Sequence, residues 1–310
     1  MKLQLPLSVK ALLVSMRPLQ WTKNLSVFAA LIISGYLFEV DVLIKVIAAF
    51  FSLSLVSSAS YILNDLVDAP LDRKHPKKKE RPIAKGLITY QVAVIDLLVL
   101  FFIGFGIASL VNFGFSLLVT AFFLLHISYT FVLKRRAVWD ILAISSAFIL
   151  RALGGEIASG YHLPVWLTFT VVFLSLFLAS GKRRSEAVSQ GDSSRPTLKQ
   201  YKVKLLDFYL SIFAVSTLVS YSLFTYFAGP QAFATHYLQA LFGFQSYLLL
   251  DRKWLMITIF PVIFGIMKYA QIVFFGRNEG ERPEKLLVTH PSLLGTVFAW
   301  GLMLILIIYG

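Results

Sequence analysis

Long apolar runs alternate with short polar segments along this chain, and the pattern predicts helices that span a membrane. Each run is about 20 residues long, which is the length an α-helix needs to cross about 30 Å of hydrocarbon. A membrane barrel is disfavoured, because its strands would alternate apolar and polar residues. The predicted fold class is all-α: a polytopic membrane protein with about nine transmembrane helices in one bundle. The predicted spans are 22–38, 42–63, 91–111, 115–133, 139–159, 165–182, 205–228, 254–275 and 291–309.

The composition supports a membrane protein. Hydrophobic residues make up 57% of the 310 residues and charged residues 15%, whereas a soluble domain is about half apolar and a quarter charged. Cysteine is absent, which excludes disulfides, thiolate metal sites and a cysteine nucleophile. Residues 1–20 are basic and partly apolar and lack a small-residue cleavage site, so we expect an amphipathic interfacial segment. Residues 21–310 are expected to form one membrane domain.

The basic residues indicate topology. The net charge is +13, but with the N-terminus inside, most Lys and Arg residues fall in the inner segments, as the positive-inside rule requires. We therefore expect the cell inner membrane, with the N-terminus and the site at the cytoplasmic face. This distribution removes the main argument for binding nucleic acid, and membrane lipids remain expected partners. A homo-oligomer is also compatible with the sequence.

Acidic residues cluster where the second apolar run ends, in YILNDLVDAPLDRKHPKKKERP at 61–82. If the helix continues, Asn64, Asp65, Asp68 and Asp72 share one face, although we expect Pro70 to distort the last turn and to place Asp72 on a loop. Carboxylates that converge beside apolar walls repel one another unless a cation lies between them, and hard oxygen ligands suit Mg²⁺. These four residues are the predicted metal ligands.

The segment that follows is basic and supplies the complementary charge. Arg73, Lys77 and Arg81 could bind the phosphate oxygens that a metal does not reach. Carboxylates, a metal and a cationic loop together predict a diphosphate site in a polar cavity that faces the cytoplasm. The alternative is a helix end with solvated acids followed by an ordinary positive-inside loop.

This motif resembles a known family. The stretch YILNDLVDAPLDRKHPKKKERPIAKG is similar to the first aspartate-rich motif of the UbiA superfamily of intramembrane prenyltransferases. Within the superfamily, further segments resemble the branch that makes decaprenylphosphoryl-5-phosphoribose from phosphoribosyl diphosphate and decaprenyl phosphate. These segments are RPLQWTKN at 17–24, SYTFVLKRRAVWD at 128–140, FILRALGG at 148–155, GKRRSE at 181–186 and RPEKLLVTHPSLL at 282–294.

The resemblance implies a nine-helix bundle that binds a diphosphate through Mg²⁺ at its cytoplasmic side. It implies that Asp65 and Asp68 are the catalytic metal ligands, and that a second polar cluster with Lys134 and Asp140 lies across the cavity. Aromatic prenyltransferases usually carry D-x-x-x-D at the second cluster, but here Asp140 is followed by Ile144. One carboxylate is missing, so a second acidic Mg²⁺ site and a prenyl diphosphate donor are disfavoured.

Several other polar residues at the inner ends of spans or within them are candidates for contact with substrate. Each has a structural alternative: Lys23 could snorkel to the interface, and Lys182 could be a topology determinant. Arg151, deep in the fifth span, either pairs with Glu156 or another acid or lines the cavity. The predicted substrate-binding residues are Lys23, Asn24, Asn64, Asp72, Arg73, Lys77, Arg81, Tyr129, Lys134, Asp140, Lys182, Arg183 and Lys268.

These features predict Mg²⁺-dependent transfer of 5-phosphoribose from 5-phosphoribosyl 1-diphosphate to a polyprenyl phosphate of the decaprenyl type. A phosphate acceptor is already an anion, so this reaction needs no strong general base. One alternative is a prenyltransferase that couples a polyprenyl diphosphate to an aromatic or other small acceptor. A more distant alternative is a transporter, suggested by Arg151 and Lys268, although the acids lie at a helix end and not at the membrane midplane.

Overall fold

The computed structural model describes residues 7–74, 78–190, 200–228, 253–275, 286 and 289–309. This part of the chain is helical and contains no β-strand, and eight of its helices are long and apolar enough to cross a membrane. The all-α membrane fold predicted from the apolar runs is confirmed. The α-helices are α1 (Leu7–Met16), α2 (Ala29–Ile33), α3 (Val40–Asp72), α4 (Tyr90–Val111), α5 (Phe113–Phe131), α6 (Trp139–Ser159), α7 (Val165–Gln190), α8 (Val203–Phe227), α9 (Ile259–Phe275) and α10 (Pro291–Tyr309).

The first predicted span takes an unexpected form. Instead of one α-helix over 22–38, the chain forms a 3₁₀ helix over Pro18–Phe28, followed by the short α2. A 3₁₀ helix longer than about four residues is uncommon and needs support from its neighbours. Trp21 donates a hydrogen bond to Ser58 at 3.0 Å, and Asn24 donates one to Ser54 at 2.9 Å.

These two hydrogen bonds explain how the 3₁₀ helix fits against α3. Side chains three residues apart lie on one face of a 3₁₀ helix, and side chains four residues apart lie close together on an α-helix. Three residues of 3₁₀ helix and four of α-helix both rise by about 6 Å. The Trp21 and Asn24 anchors therefore match the spacing of Ser58 and Ser54.

The chain divides into two compact units, which are described separately. The first comprises Met1–Phe28, Glu39–Lys134 and Leu150–Gly160. Within it, α3 packs against α1, the 3₁₀ helix, α4 and α5. Its core includes Ala11 of α1 together with Ile62. Because α1 buries Ala11 in this core, the N-terminal helix packs on protein along one side; the interfacial position of residues 1–20 stays a prediction.

The second unit comprises Ala29–Phe38, Arg135–Ile149 and Tyr161–Gly310. Within it, α7 packs against α8, and α9 packs against α7, α8 and α10. Phe177 and Tyr269 belong to its core, with their ring centroids 5.2 Å apart. This packing places the α7 candidates Lys182 and Arg183 on a closely packed group of helices.

Candidate functional site

The acidic residues at the end of α3 are buried. The helix continues through Pro70 and ends at Asp72, so the expectation that Asp72 lies on a loop was wrong. Asp65, Asp68 and Asp72 are only 3%, 6% and 4% exposed. A set of solvated acids at a helix end would be far more exposed. The structure therefore argues against the alternative in which these residues are ordinary surface acids.

Two arginines contact these acids. Arg17 Nη2 lies 2.5 Å from Asp65 Oδ1. Arg81 Nη1 lies 2.9 Å from the same Asp65 oxygen and 2.6 Å from Asp72 Oδ2. Arg81 therefore bridges two carboxylates about two helical turns apart, and it joins the basic loop, residues 73–85, to the end of α3.

A lysine completes the set. Lys134 Nζ lies 2.6 Å from Asp68 Oδ1 and donates a hydrogen bond to Asn64 Oδ1 at 3.2 Å. Asn64 Nδ2 in turn donates to Asp68 Oδ2 at 3.1 Å. Three carboxylates thus meet three cationic side chains in one arrangement, called here the α3 cluster. Its members are Arg17, Asn64, Asp65, Asp68, Asp72, Arg81 and Lys134.

The backbone at Arg17 is strained. Its φ is 53°, in the left-handed region that costs a residue with a Cβ about 1–2 kcal/mol. The guanidinium lies 5.2 Å above the ring of Tyr61. Burial lowers the pKa of Arg17, but the adjacent Asp65 carboxylate, with smaller contributions from Tyr61 and Asp72, raises it above its usual value. Arg17 is therefore a fixed positive charge at the joint between α1 and the 3₁₀ helix.

The donor set of the α3 cluster suits Mg²⁺ in its chemistry. Asn64, Asp65, Asp68 and Asp72 offer hard oxygen atoms, which Mg²⁺ prefers. Within the described ranges, no three His, Asp or Glu side chains converge closely enough to hold a metal as they stand. Instead, Arg17, Arg81 and Lys134 contact the carboxylates directly. A metal that used Asp65 Oδ1, Asp68 Oδ1 or Asp72 Oδ2 would compete with these cations.

Asp140 forms a separate cluster at the start of α6. Its Oδ2 lies 2.5 Å from Arg183 Nε, and its Oδ1 accepts hydrogen bonds from the Tyr201 hydroxyl at 2.7 Å and from Ile141 N at 2.9 Å. Arg183 also pairs with Glu186. We call Asp140, Arg183, Glu186 and Tyr201 the Asp140 cluster. Arg183 therefore reaches Asp140, whereas Lys134, expected to accompany Asp140, contacts the α3 cluster.

Tyr201 also supports a strained turn. Val138, directly before α6, has a φ of 69°, which is rare for a β-branched residue. Its backbone N–H donates to the Tyr201 hydroxyl at 2.5 Å. Burial raises the pKa of Tyr201, and the hydrogen bond to Asp140 raises it further. The hydroxyl therefore stays protonated and can keep donating to Asp140.

Asn24 is fully buried and orients a buried arginine. Its Oδ1 accepts from Arg151 Nε at 2.6 Å, while its Nδ2 donates to Ser54. The Arg151 guanidinium also lies 4.7 Å from the centroid of the Phe122 ring. These contacts give Arg151 polar and aromatic neighbours within α6 and its surroundings. Lys23, beside Asn24, is half-buried.

Two of the remaining candidates, Arg73 and Lys268, make hydrogen bonds within their own segments. Arg73 Nε donates a hydrogen bond to the Ala84 carbonyl at 3.3 Å, a contact within the basic loop. Lys268 donates to Gln271 at 2.9 Å. Lys182 is half-buried and makes no ion pair within the part of the chain that the structure describes, and Tyr129 is half-buried on α5. Lys77 lies outside the described residues. Their contact with substrate stays a prediction.

Sequence reasoning missed Arg17 and Tyr201 as parts of these clusters. Arg17 stands in the RPLQWTKN segment, but its partner Asp65 is 48 residues away. Tyr201 is 61 residues from Asp140 and lies in no motif. The RPLQWTKN resemblance was the one signal that could have indicated Arg17, and no local signal indicated Tyr201.

The apolar helices define the chain as a multi-pass membrane protein. It belongs to the UbiA prenyltransferase family, whose profile matches residues 24–256. The chain is 30% identical over 302 residues to the decaprenyl-phosphate phosphoribosyltransferase of Corynebacterium glutamicum, covering 95% of this chain and 86% of that protein. It is 31% identical over 299 residues to the enzyme of the same name from Mycolicibacterium smegmatis, covering 94% and 90%.

A solved structure shows the same fold. The UbiA homologue from Archaeoglobus fulgidus bound to DMAPP and Mg²⁺ superposes with a TM-score of 0.68 at 16% identity, covering 95% of this chain and 98% of that chain. The resemblance to the UbiA superfamily, inferred from the aspartate-rich motif, is confirmed by the family match.

Proposed function

We propose that the protein transfers 5-phosphoribose from 5-phosphoribosyl 1-diphosphate to a polyprenyl phosphate and releases pyrophosphate. The observation that carries this proposal is the α3 cluster, in which buried acids meet three cationic side chains at one end of α3. The likeness to two decaprenyl-phosphate phosphoribosyltransferases over more than nine-tenths of the chain supports the choice of substrates.

In this reaction an oxygen of the acceptor phosphate bonds to C1 of ribose, and the bond from C1 to the diphosphate oxygen breaks. The electron pair leaves with pyrophosphate, and no proton has to move. Asp65 and Asp68, with Asn64 and Asp72, would hold Mg²⁺, which when bound offsets charge on the leaving diphosphate. Arg81 holds a positive charge beside these acids, where it can contact phosphate oxygens.

The protein must also hold the acceptor phosphate and the donor diphosphate in line, although the two anions repel each other. Cations suit this task better than a general base, because the acceptor is already ionised. Lys134 can hold the Asp68 and Asn64 side chains in position, since its ammonium contacts both. Arg73, Lys77 and Lys23 remain candidate phosphate contacts.

The Asp140 cluster favours phosphoribosyl transfer over the alternative prenyltransferase. Both Asp140 oxygens have close partners, Arg183 at 2.5 Å on one and Tyr201 with Ile141 N on the other. The Asp140 cluster offers two carboxylates, Asp140 and Glu186, that share one arginine, whereas the α3 cluster offers three aspartates and Asn64 as hard oxygen ligands. Together with Ile144 in place of a second aspartate, this supports a single metal site and disfavours a prenyl diphosphate donor.

The test uses the full chain, purified in detergent or nanodiscs. With 5-phosphoribosyl 1-diphosphate, Mg²⁺ and a polyprenyl phosphate, we expect pyrophosphate release and a phosphoribosylated lipid in the mass spectrum. Asp65→Asn and Asp68→Asn should each reduce the rate by at least about 100-fold. Asp41→Asn is the matched control, because Asp41 is an exposed carboxylate in the first turn of the same helix. A lipid product formed only from a polyprenyl diphosphate and an aromatic acceptor would contradict the proposal.

We further propose that the protein lies in the inner membrane with its N-terminus and α3 cluster at the cytoplasmic face. Because the chain has no cysteine, single-cysteine variants give a clean test with a membrane-impermeant maleimide. Lys79→Cys, in the basic loop, should react in inside-out vesicles, and Asp41→Cys should react in intact spheroplasts. The reverse pattern would contradict this orientation.

A further inference from the structure

One carboxylate oxygen in the α3 cluster is shared by two arginines. Asp65 Oδ1 lies 2.5 Å from Arg17 and 2.9 Å from Arg81. Two guanidinium groups that meet at one oxygen repel each other, so each is held less tightly than it would be by an oxygen of its own. An anion with several oxygens would satisfy both guanidinium groups better than Asp65 does.

The cations also cover the acids. The side chains of Arg17 and Arg81 are 27% and 20% exposed, whereas the side chains of Asp65 and Asp72 are 3% and 6% exposed. A solute that approaches the cluster from water therefore meets guanidinium groups first. A metal that reaches the cluster therefore competes with these arginines for Asp65 Oδ1 and Asp72 Oδ2.

The backbone of Arg17 supports a role beyond packing. Arg17 adopts φ of 53° between α1 and the 3₁₀ helix, a conformation that glycine would adopt with less strain. Strain of this kind concentrates at functional sites. The Tyr61 ring, 5.2 Å from the guanidinium, holds the side chain from a second direction.

We propose that Arg17 exchanges partners during substrate binding. Without substrate it neutralises Asp65. When metal and diphosphate enter, Arg17 releases Asp65 to the metal and binds the diphosphate oxygens together with Arg81. This inference rests on the proposed function, because it takes the diphosphate to be the ligand of the α3 cluster.

The exchange keeps every charge paired. Before binding, three acids face three cations; after binding, acids face the metal and arginines face the phosphate. Neither the buried carboxylates nor the guanidinium groups are left without an opposite charge, which would be costly in a buried site. Arginine suits this role because its planar fork matches the geometry of phosphate as well as that of carboxylate.

The exchange predicts that Arg17→Gln changes the affinities for Mg²⁺ and for pyrophosphate in opposite directions. In Arg17→Gln, Mg²⁺ alone should bind several-fold more tightly than in the wild type, because a competitor for Asp65 is gone. Pyrophosphate in the presence of Mg²⁺ should bind at least tenfold more weakly, because a phosphate contact is lost. Arg17→Lys should recover part of the pyrophosphate affinity. Isothermal titration calorimetry on the full chain in nanodiscs measures both affinities without turnover.

The control is Lys10→Gln, which removes an exposed cation from the same N-terminal segment and should change neither affinity. If Arg17→Gln does not fold, Arg17→Gly replaces it, since glycine tolerates the left-handed backbone. Affinities that fall together, or that do not change, would overturn the exchange while leaving the proposed function intact. A wild-type protein that binds no pyrophosphate with Mg²⁺ would overturn both.

Discussion

The Lys134 ammonium lies 2.6 Å from the Asp68 carboxylate, and both side chains are almost fully buried, at 7% and 9% exposure. Removing one member of a buried ion pair costs about 3–5 kcal/mol, because the other charge loses its compensation. We therefore expect Lys134→Met to lower the free energy of unfolding by about 3 kcal/mol. The melting temperature in a fixed detergent measures this change.

Lys85→Met is the control for this prediction. Lys85 also pairs with an acid, Glu80, at 2.7 Å, but both side chains are more than half exposed. Exposed pairs contribute little to stability because water screens them. Equal melting temperatures for Lys134→Met and Lys85→Met would show that burial of the Asp68 pair is not stabilising.

Tyr201→Phe should show a pH-dependent loss of stability. The hydroxyl donates to Asp140 and accepts from Val138 N, and a hydrogen bond to a charged group contributes about 1.5–3 kcal/mol. The pKa of Tyr201 is raised by burial and by Asp140 above the usual value of about 10. A raised pKa adds stability that is complete below about pH 10 and is lost as the pH rises further, because the unfolded chain ionises first.

The gap in melting temperature between the wild type and Tyr201→Phe should therefore be widest near pH 8 and should narrow towards pH 11. Tyr209→Phe, a half-buried tyrosine on α8, serves as the control and should show no such trend. A difference in melting temperature that stays constant with pH would mean that the pKa of Tyr201 is the same in the folded and the unfolded protein.

Val138→Gly should stabilise the protein. Val138 has φ of 69° and is 44% exposed, so glycine relieves strain of about 1–2 kcal/mol while losing little packing. Val132→Gly is the matched control, because Val132 is similarly exposed but has φ of −122°. Glycine there should destabilise the protein through backbone entropy. Shifts of the same sign for both variants would contradict the assignment of strain to Val138.

Gly155→Ala should destabilise the first compact unit. A Cβ at Gly155 would lie 2.0 Å from the carbonyl oxygen of Val27, so backbone must move. Overpacking of this kind costs about 1–3 kcal/mol or more. Gly106→Ala, in α4 with no atom within 4 Å of the added Cβ, should instead stabilise by up to about 1 kcal/mol. Thermal melting of both variants checks the contrast; similar shifts would contradict the close approach of α6 to Val27.

The longer helices could be predicted from the sequence because their signal is local. The runs at 139–159 and 291–309 match α6 and α10 at both ends, since length and hydropathy alone decide a spanning helix. The first span differed because its conformation depends on a neighbour. The 3₁₀ geometry is supported by hydrogen bonds from Trp21 and Asn24 to α3, and nothing within residues 18–28 indicates those partners.

The candidate site was predictable in part. The spacing of Asp65, Asp68 and Asp72 correctly placed them on one face of α3. Pro70 was misjudged because a proline near the end of a helix removes few hydrogen bonds; Arg73 N still donates to the Ala69 carbonyl at 3.1 Å. The cationic partners could not be assigned, since Arg17 and Lys134 reach the acids across 48 and 66 residues of chain.

The 33 residues of α3 have a consequence for where chemistry can occur. At 1.5 Å per residue the helix is about 50 Å long, and Asp65 is already about 38 Å from Val40. A hydrocarbon layer of about 30 Å that begins near Val40 therefore ends before Asp65. The reacting groups under the proposed function would then meet at headgroup level, where a lipid phosphate already resides and a sugar diphosphate can arrive from water. Neither substrate would have to bring its charged groups into the hydrocarbon core of the membrane.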